Sequence, residues 1–127
     1  MKKMRHIGIS DFNLVLGVMY ATKADLLAYM KKHGYKAKVV TFLKKSSLAG
    51  CFIPEQRPPT NCPFIWIARE DDDKLRECLN IAFHEFYHFW ADVRKKDYYK
   101  FEESEEVAAY VMASFLEQIY ATVKELV

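Results

Sequence analysis

From residue 74 to residue 91 apolar side chains recur at helical spacing: Leu75, Leu79, Ala82, Phe83, Phe86, Phe89 and Trp90 share one broad side when successive residues turn by about 100°. The opposite side carries Asn80, His84 and His88. A second stripe of Ala108, Met112, Phe115, Leu116, Ile119 and Val123 predicts a C-terminal helix from about Ser104 to Leu126. Thr22 with Asp25 three residues on has the form of a helix N-cap, Leu26, Leu27 and Met30 follow at helical spacing, and Gly34 is placed as the stop, so an N-terminal helix is predicted. Three segments read as strands from their β-branched and aromatic content: Lys36 to Leu43, Gly50 to Ile53, and Phe64 to Ile67. Short sequential strands joined by loops favour an antiparallel meander. Residues 5 to 20 mix Gly8 and Gly17 with β-branched residues and fit either a strand or an irregular helix.

Four prolines, at 54, 58, 59 and 63, punctuate the connection between the last two strands, and Asp71, Asp72 and Asp73 put negative charge where the next helix starts. The 127 residues suit one domain with a modest core. At 51% hydrophobic and 15% aromatic the chain is ordered and globular in type, and a formal net charge of +2 gives no reason to expect direct contact with nucleic acid. Three cysteines without a CxxC pair point to a reducing compartment. No segment approaches the ~20 apolar residues that span a bilayer, so the expectation is a soluble, cytoplasmic protein that does not engage a membrane. Nothing sets the oligomeric state.

The first predicted helix described above carries His84-Glu85-Phe86-Tyr87-His88, the HExxH pattern. Two histidines one turn apart turn both imidazoles toward one point, as a tetrahedral zinc requires at Zn–N distances of ~2.0–2.1 Å. Glu85, about 100° further round, is placed to act as general base on a water without entering the ligand shell. The competing reading makes both histidines ordinary residues of a polar helix face. Hydrolytic zinc sites take three protein ligands and leave one position open. On the projection Glu105 falls in line with Met112 and Leu116, toward the core, where a carboxylate is costly unless paired or bound to metal. It is the third-ligand candidate; an exposed Glu105 in the first turn, favoured there by the helix dipole, is the alternative, and Asp92 is a further ligand candidate.

With these residues in place the chain resembles the minimal gluzincin peptidases, in particular the ImmA/IrrE-type family of bacterial and phage zinc proteins. The resemblance covers about Thr22 to Leu116 and rests on the element order, on HEFYH at 84 to 88, and on Glu105 to Leu116, similar to that family's Glu-x-x-Ala-Asn-x-Phe-Ala-Ala-x-Leu-Leu helix. It implies an α+β, zincin-like single domain over residues 1–127: a three-stranded, mostly antiparallel sheet packed on the HExxH helix, with an N-terminal helix and a C-terminal glutamate helix. It implies one zinc per chain, held by His84, His88 and Glu105, and a peptide or protein substrate, a repressor-type regulator among them. It also implies a cleft-flanking strand, Leu48 to Ile53, where Gly50, Cys51 and Phe52 would take an extended peptide by strand addition. Tyr87 stands where that family commonly has glycine, Ala109 where it has Asn or Asp, and no Met-Pro ending follows the last helix. Tyr98, Tyr99 and Tyr110 are oxyanion-donor candidates by position. The expected activity is peptide-bond hydrolysis with Glu85 as base; the alternative is a zinc-binding regulatory or interaction module with little or no hydrolysis, and a metal-free structural protein is a third reading.

Overall fold

A computed structural model describes residues 3–35, 49–53, 62–70, 73–95 and 105–127. The segment left open by the sequence is a hairpin: β1 (Lys3–Ile9) pairs antiparallel with β2 (Leu14–Ala21), in register from Lys3 opposite Tyr20 to Ile9 opposite Leu14. A 3-10 turn, Ser10–Phe12, joins them. Asn13 closes that turn at φ 51°, a left-handed conformation that asparagine tolerates, and its N–H donates to the Ser10 carbonyl at 3.0 Å. The next element, α1 (Lys23–Lys32), begins as its sequence predicts, with Thr22 Oγ1 accepting from the Asp25 N–H at 3.2 Å. Gly34 follows it at φ +75°.

β3 (Ala49–Phe52) and β4 (Phe64–Ala68) complete a sheet of order β1-β2-β4-β3. β2 and β4 run parallel, and β3 pairs antiparallel with β4. The expected three-stranded, mostly antiparallel sheet is therefore corrected to one that is mixed and has four strands among the described residues, in an α+β fold. The reason lies in β2, a central strand covered on both faces: Leu14, Leu16, Val18 and Tyr20 enter one core and Met19 and Ala21 the other, so the apolar–polar alternation that advertises a strand is missing. The predicted strand Lys36 to Leu43 lies outside the described residues.

Two long helices, α2 (Leu75–Lys95) and α3 (Glu105–Leu126), contribute to the larger core on one face, while α1 closes the smaller core on the other. Each fully buried Leu, Ile, Val or Phe here contributes about 1.5–3 kcal/mol. The Trp66 indole N–H donates to the Ala21 carbonyl at 2.9 Å, so the one polar atom of that buried ring is satisfied. Asp73, just ahead of α2, accepts from the Tyr20 hydroxyl and from the Glu70 N–H, tying the helix entry to the central strand. Among the described residues no helix is long and apolar enough to cross a membrane.

Candidate functional site

The rotation of α2 is set by aromatic packing. Phe86 and Phe89 lie 5.7 Å and 5.5 Å, centroid to centroid, from Phe115 of α3, and Trp90 stacks on Phe86 at 6.2 Å. With that side held in the core, His84 and His88 face outward, the His84 side chain 71% exposed. Their ring centroids are 5.3 Å apart with planes at 74°, so one face of the helix presents two imidazoles a turn apart. Tyr87 also points to solvent, its ring 5.9 Å from that of His88.

Glu85 behaves differently from its neighbours in sequence. It is buried, at 9% exposure, with Oε1 4.0 Å from His84 Nε2. Burial pushes its carboxyl above the usual carboxylate range, and the two imidazoles pull it part of the way back. Across the seam on β3, the Cys51 thiol is pushed up to about 12, first by burial, then by the charges of Glu85 and Asp92. Glu85 and Asp92 are two turns apart, on the same side of α2, so both carboxylates bear on this thiol. Cys51 thus faces α2. Phe52 faces the other way, stacked on Phe64 at 4.9 Å in the smaller core, and its ring folds back over Gly50, where an added Cβ would meet it at 2.9 Å. Of the three residues proposed to line a peptide, Gly50 and Phe52 therefore belong to the α1 side of the sheet. β3 ends the sheet order, and among the described residues no strand pairs with its outer edge.

Glu105 opens α3. The sequence stripe had it facing the core, but the core stops at Ala108, one turn later, and Glu105 stands in the first turn with its side chain 80% exposed. Arg94, in the last turn of α2, donates through Nη2 to Glu105 Oε1 at 3.0 Å. This partner was not visible to sequence reasoning; its only signal was a basic last turn followed by an acidic first turn on the next helix. Among the described residues no group of three or more His, Cys, Asp and Glu side chains is gathered to hold a metal. His84 and His88 are brought together, and Glu105 is not brought to them. Asp92 lies on the Cys51 seam, Tyr110 is exposed on α3, and Tyr98 and Tyr99 lie outside the described residues.

The donor set suits zinc in part: two exposed imidazoles at one-turn spacing, and beside them a carboxyl whose burial raises its proton affinity. Glu105 has one oxygen engaged by Arg94. Comparison with protein-family models, with curated proteins and with solved structures gives no match to this chain.

Proposed function

We propose that this chain is a zinc-dependent metallopeptidase domain of the ImmA/IrrE-like, zincin type, acting on an extended peptide segment of a protein such as a repressor-type regulator. The observation that carries the reading is the outward pair His84 and His88 with the buried Glu85 between them on α2. His84 and His88 would hold the metal, with Glu105 as third ligand once its carboxylate leaves Arg94. Zinc bound there supplies a Lewis acid that makes water nucleophilic near neutral pH and polarises a carbonyl.

The remaining steps belong to the protein. Glu85 accepts the proton of the attacking water and returns it to the leaving amine; its raised proton affinity suits both halves of that transfer. The substrate would lie along the outer edge of β3, whose backbone fixes an extended chain in register beside α2.

Elemental analysis of purified protein tests the reading: one zinc per chain, lost in His84→Ala and Glu105→Ala, and kept in Glu106→Ala and Glu85→Gln. Wild-type protein that carries no zinc and takes none up removes it. The Arg94–Glu105 pair favours a second reading, a zinc-binding regulatory module with little hydrolysis, because the third ligand is already occupied. Cleavage of any protein by the wild type but not by Glu85→Gln excludes that second reading.

A further inference from the structure

We propose that the outer edge of β1 is a docking groove for an extended acidic segment of another protein, which adds beside β1 as a short strand. The inference stands apart from the HExxH reading, because among the described residues β1 and β3 are opposite ends of the sheet.

The first observation is how this edge is closed at one end. The Gly8 N–H donates to Gln118 Oε1, and the Gly8 carbonyl accepts from Gln118 Nε2, each at 3.1 Å. The side-chain amide of α3 thus takes the place of a neighbouring strand residue. In an antiparallel strand, residues two apart turn their N–H and C=O to the same side, so His6 and Met4 present theirs on the edge that Gly8 offers to Gln118. Arg5 Nη1 covers the Met4 carbonyl at 3.1 Å. The N–H and C=O of His6 come next in the row.

The second observation is the groove beside that row, about 590 Å³, between β1, the Tyr29–His33 side of α1 and the end of α3. Its two walls differ. Lys3 and Arg5 lean toward α3, where Lys3 Nζ donates to the Leu126 carbonyl at 3.1 Å and Arg5 meets Glu125 Oε1 at 3.2 Å. Met4 and His6 take the opposite side, toward α1, where His33 and Tyr29 have ring centroids 4.2 Å apart. A guest strand sends alternate side chains to alternate faces, so it would set carboxylates against Lys3 and Arg5 and apolar groups against Tyr29. Glu125 already shows the fit of a carboxylate to Arg5. Both partners of that pair are more than half exposed, so a guest carboxylate can replace Glu125. Two fixed cations beside one acid are few for a nucleic-acid backbone, which calls for a longer basic track.

The test uses the full chain and a fluorescein-labelled peptide of alternating Glu and Val, followed by fluorescence anisotropy at low salt. Saturable binding is expected, weakened about tenfold or more by Arg5→Glu, retained by Arg5→Lys, and lost for the matching Lys-Val peptide. The same Glu-Val peptide methylated on alternate backbone nitrogens should bind the wild type about tenfold more weakly, a comparison that needs no variant to fold. No saturable binding, or equal binding of the methylated peptide, or equal binding by Arg5→Glu protein with unchanged circular dichroism, overturns the proposal. Displacement of the peptide by a thymidine oligonucleotide at lower concentration than by unlabelled peptide also overturns it, in favour of a nucleic-acid site.

Discussion

Replacing Arg94 by alanine is expected to tighten zinc binding, because the guanidinium competes for the carboxylate that the metal needs. The competition rests on one contact, Nη2 to Oε1 at 3.0 Å, between a side chain 31% exposed and one 80% exposed. Solvent screens such a pair, and exposed pairs contribute about 0.2–1 kcal/mol. If that energy is released when Glu105 turns to the metal, Arg94→Ala raises zinc affinity by a factor of about 1.4 to 5. The assay is competition against a chromophoric zinc chelator with wild type, Arg94→Ala, Glu105→Ala and the double variant. Since the two side chains act through one contact, Arg94→Ala should have no effect once Glu105 is gone. Metal-free Arg94→Ala should lose no more than about 1 kcal/mol in urea unfolding. A fall in zinc affinity on Arg94→Ala would refute the competition and make Arg94 a support for the ligand; an undiminished gain in the Glu105→Ala background would place the effect elsewhere.

Three further outcomes follow from the packing and the charges. Phe115→Ala empties the fully buried position between Phe86 and Phe89 and should cost about 3–5 kcal/mol, seen as a lower urea midpoint. Gly17→Ala brings a Cβ to 2.5 Å from Met4 Cε and 2.9 Å from Phe64 Cβ; the methionine tip can swing away but the phenylalanine Cβ cannot, so a loss of about 1–3 kcal/mol is expected in thermal melts. For Glu85 the sign comes from burial, which raises the folded carboxyl above its unfolded value, so the native chain holds this proton more tightly and Glu85 lowers stability as pH rises through the carboxylate range. Metal-free Glu85→Gln should therefore be more stable than wild type at pH 7, with a gain that shrinks toward pH 4; a gain independent of pH would count against burial as its cause.

Much of the helical half of the fold was legible because its signals are local. Thr22 and Asp25 announce α1, and the spacing of Phe86, Phe89 and Phe115 announces the faces on which α2 and α3 meet. β2 was not legible, because a strand buried on both faces has no period to read and its partner β4 arrives more than forty residues later; β1, an edge strand with Ile7 alone fully buried, has too few buried positions to show one. The HExxH residues were legible as a motif, and the outward turn of His84 and His88 agrees with the projection. The burial of Glu85 was not, since it depends on β3 lying across that side of α2. Nor could the projection place Glu105: a stripe extended to the first residue of a helix says nothing about where the core beneath it ends.

The contacts between β1 and α3 have a consequence for how the protein is made. Gly8 and Gln118 are 110 residues apart, Arg5 and Glu125 are 120 apart, and Lys3 and Leu126 are 123 apart. A strand near the start of this sequence is thus completed by a helix more than a hundred residues later. At synthesis rates of about 5–20 residues per second, the edge at Gly8 waits about 6–22 s for the amide that caps it. Throughout that interval the nascent chain offers an open row of backbone donors and acceptors, and on a crowded polysome the neighbouring nascent chains carry the same edge. Slow translation between β1 and α3 therefore lengthens exposure to intermolecular strand pairing, and a holdase that covers β1 until α3 emerges would raise the yield of folded protein.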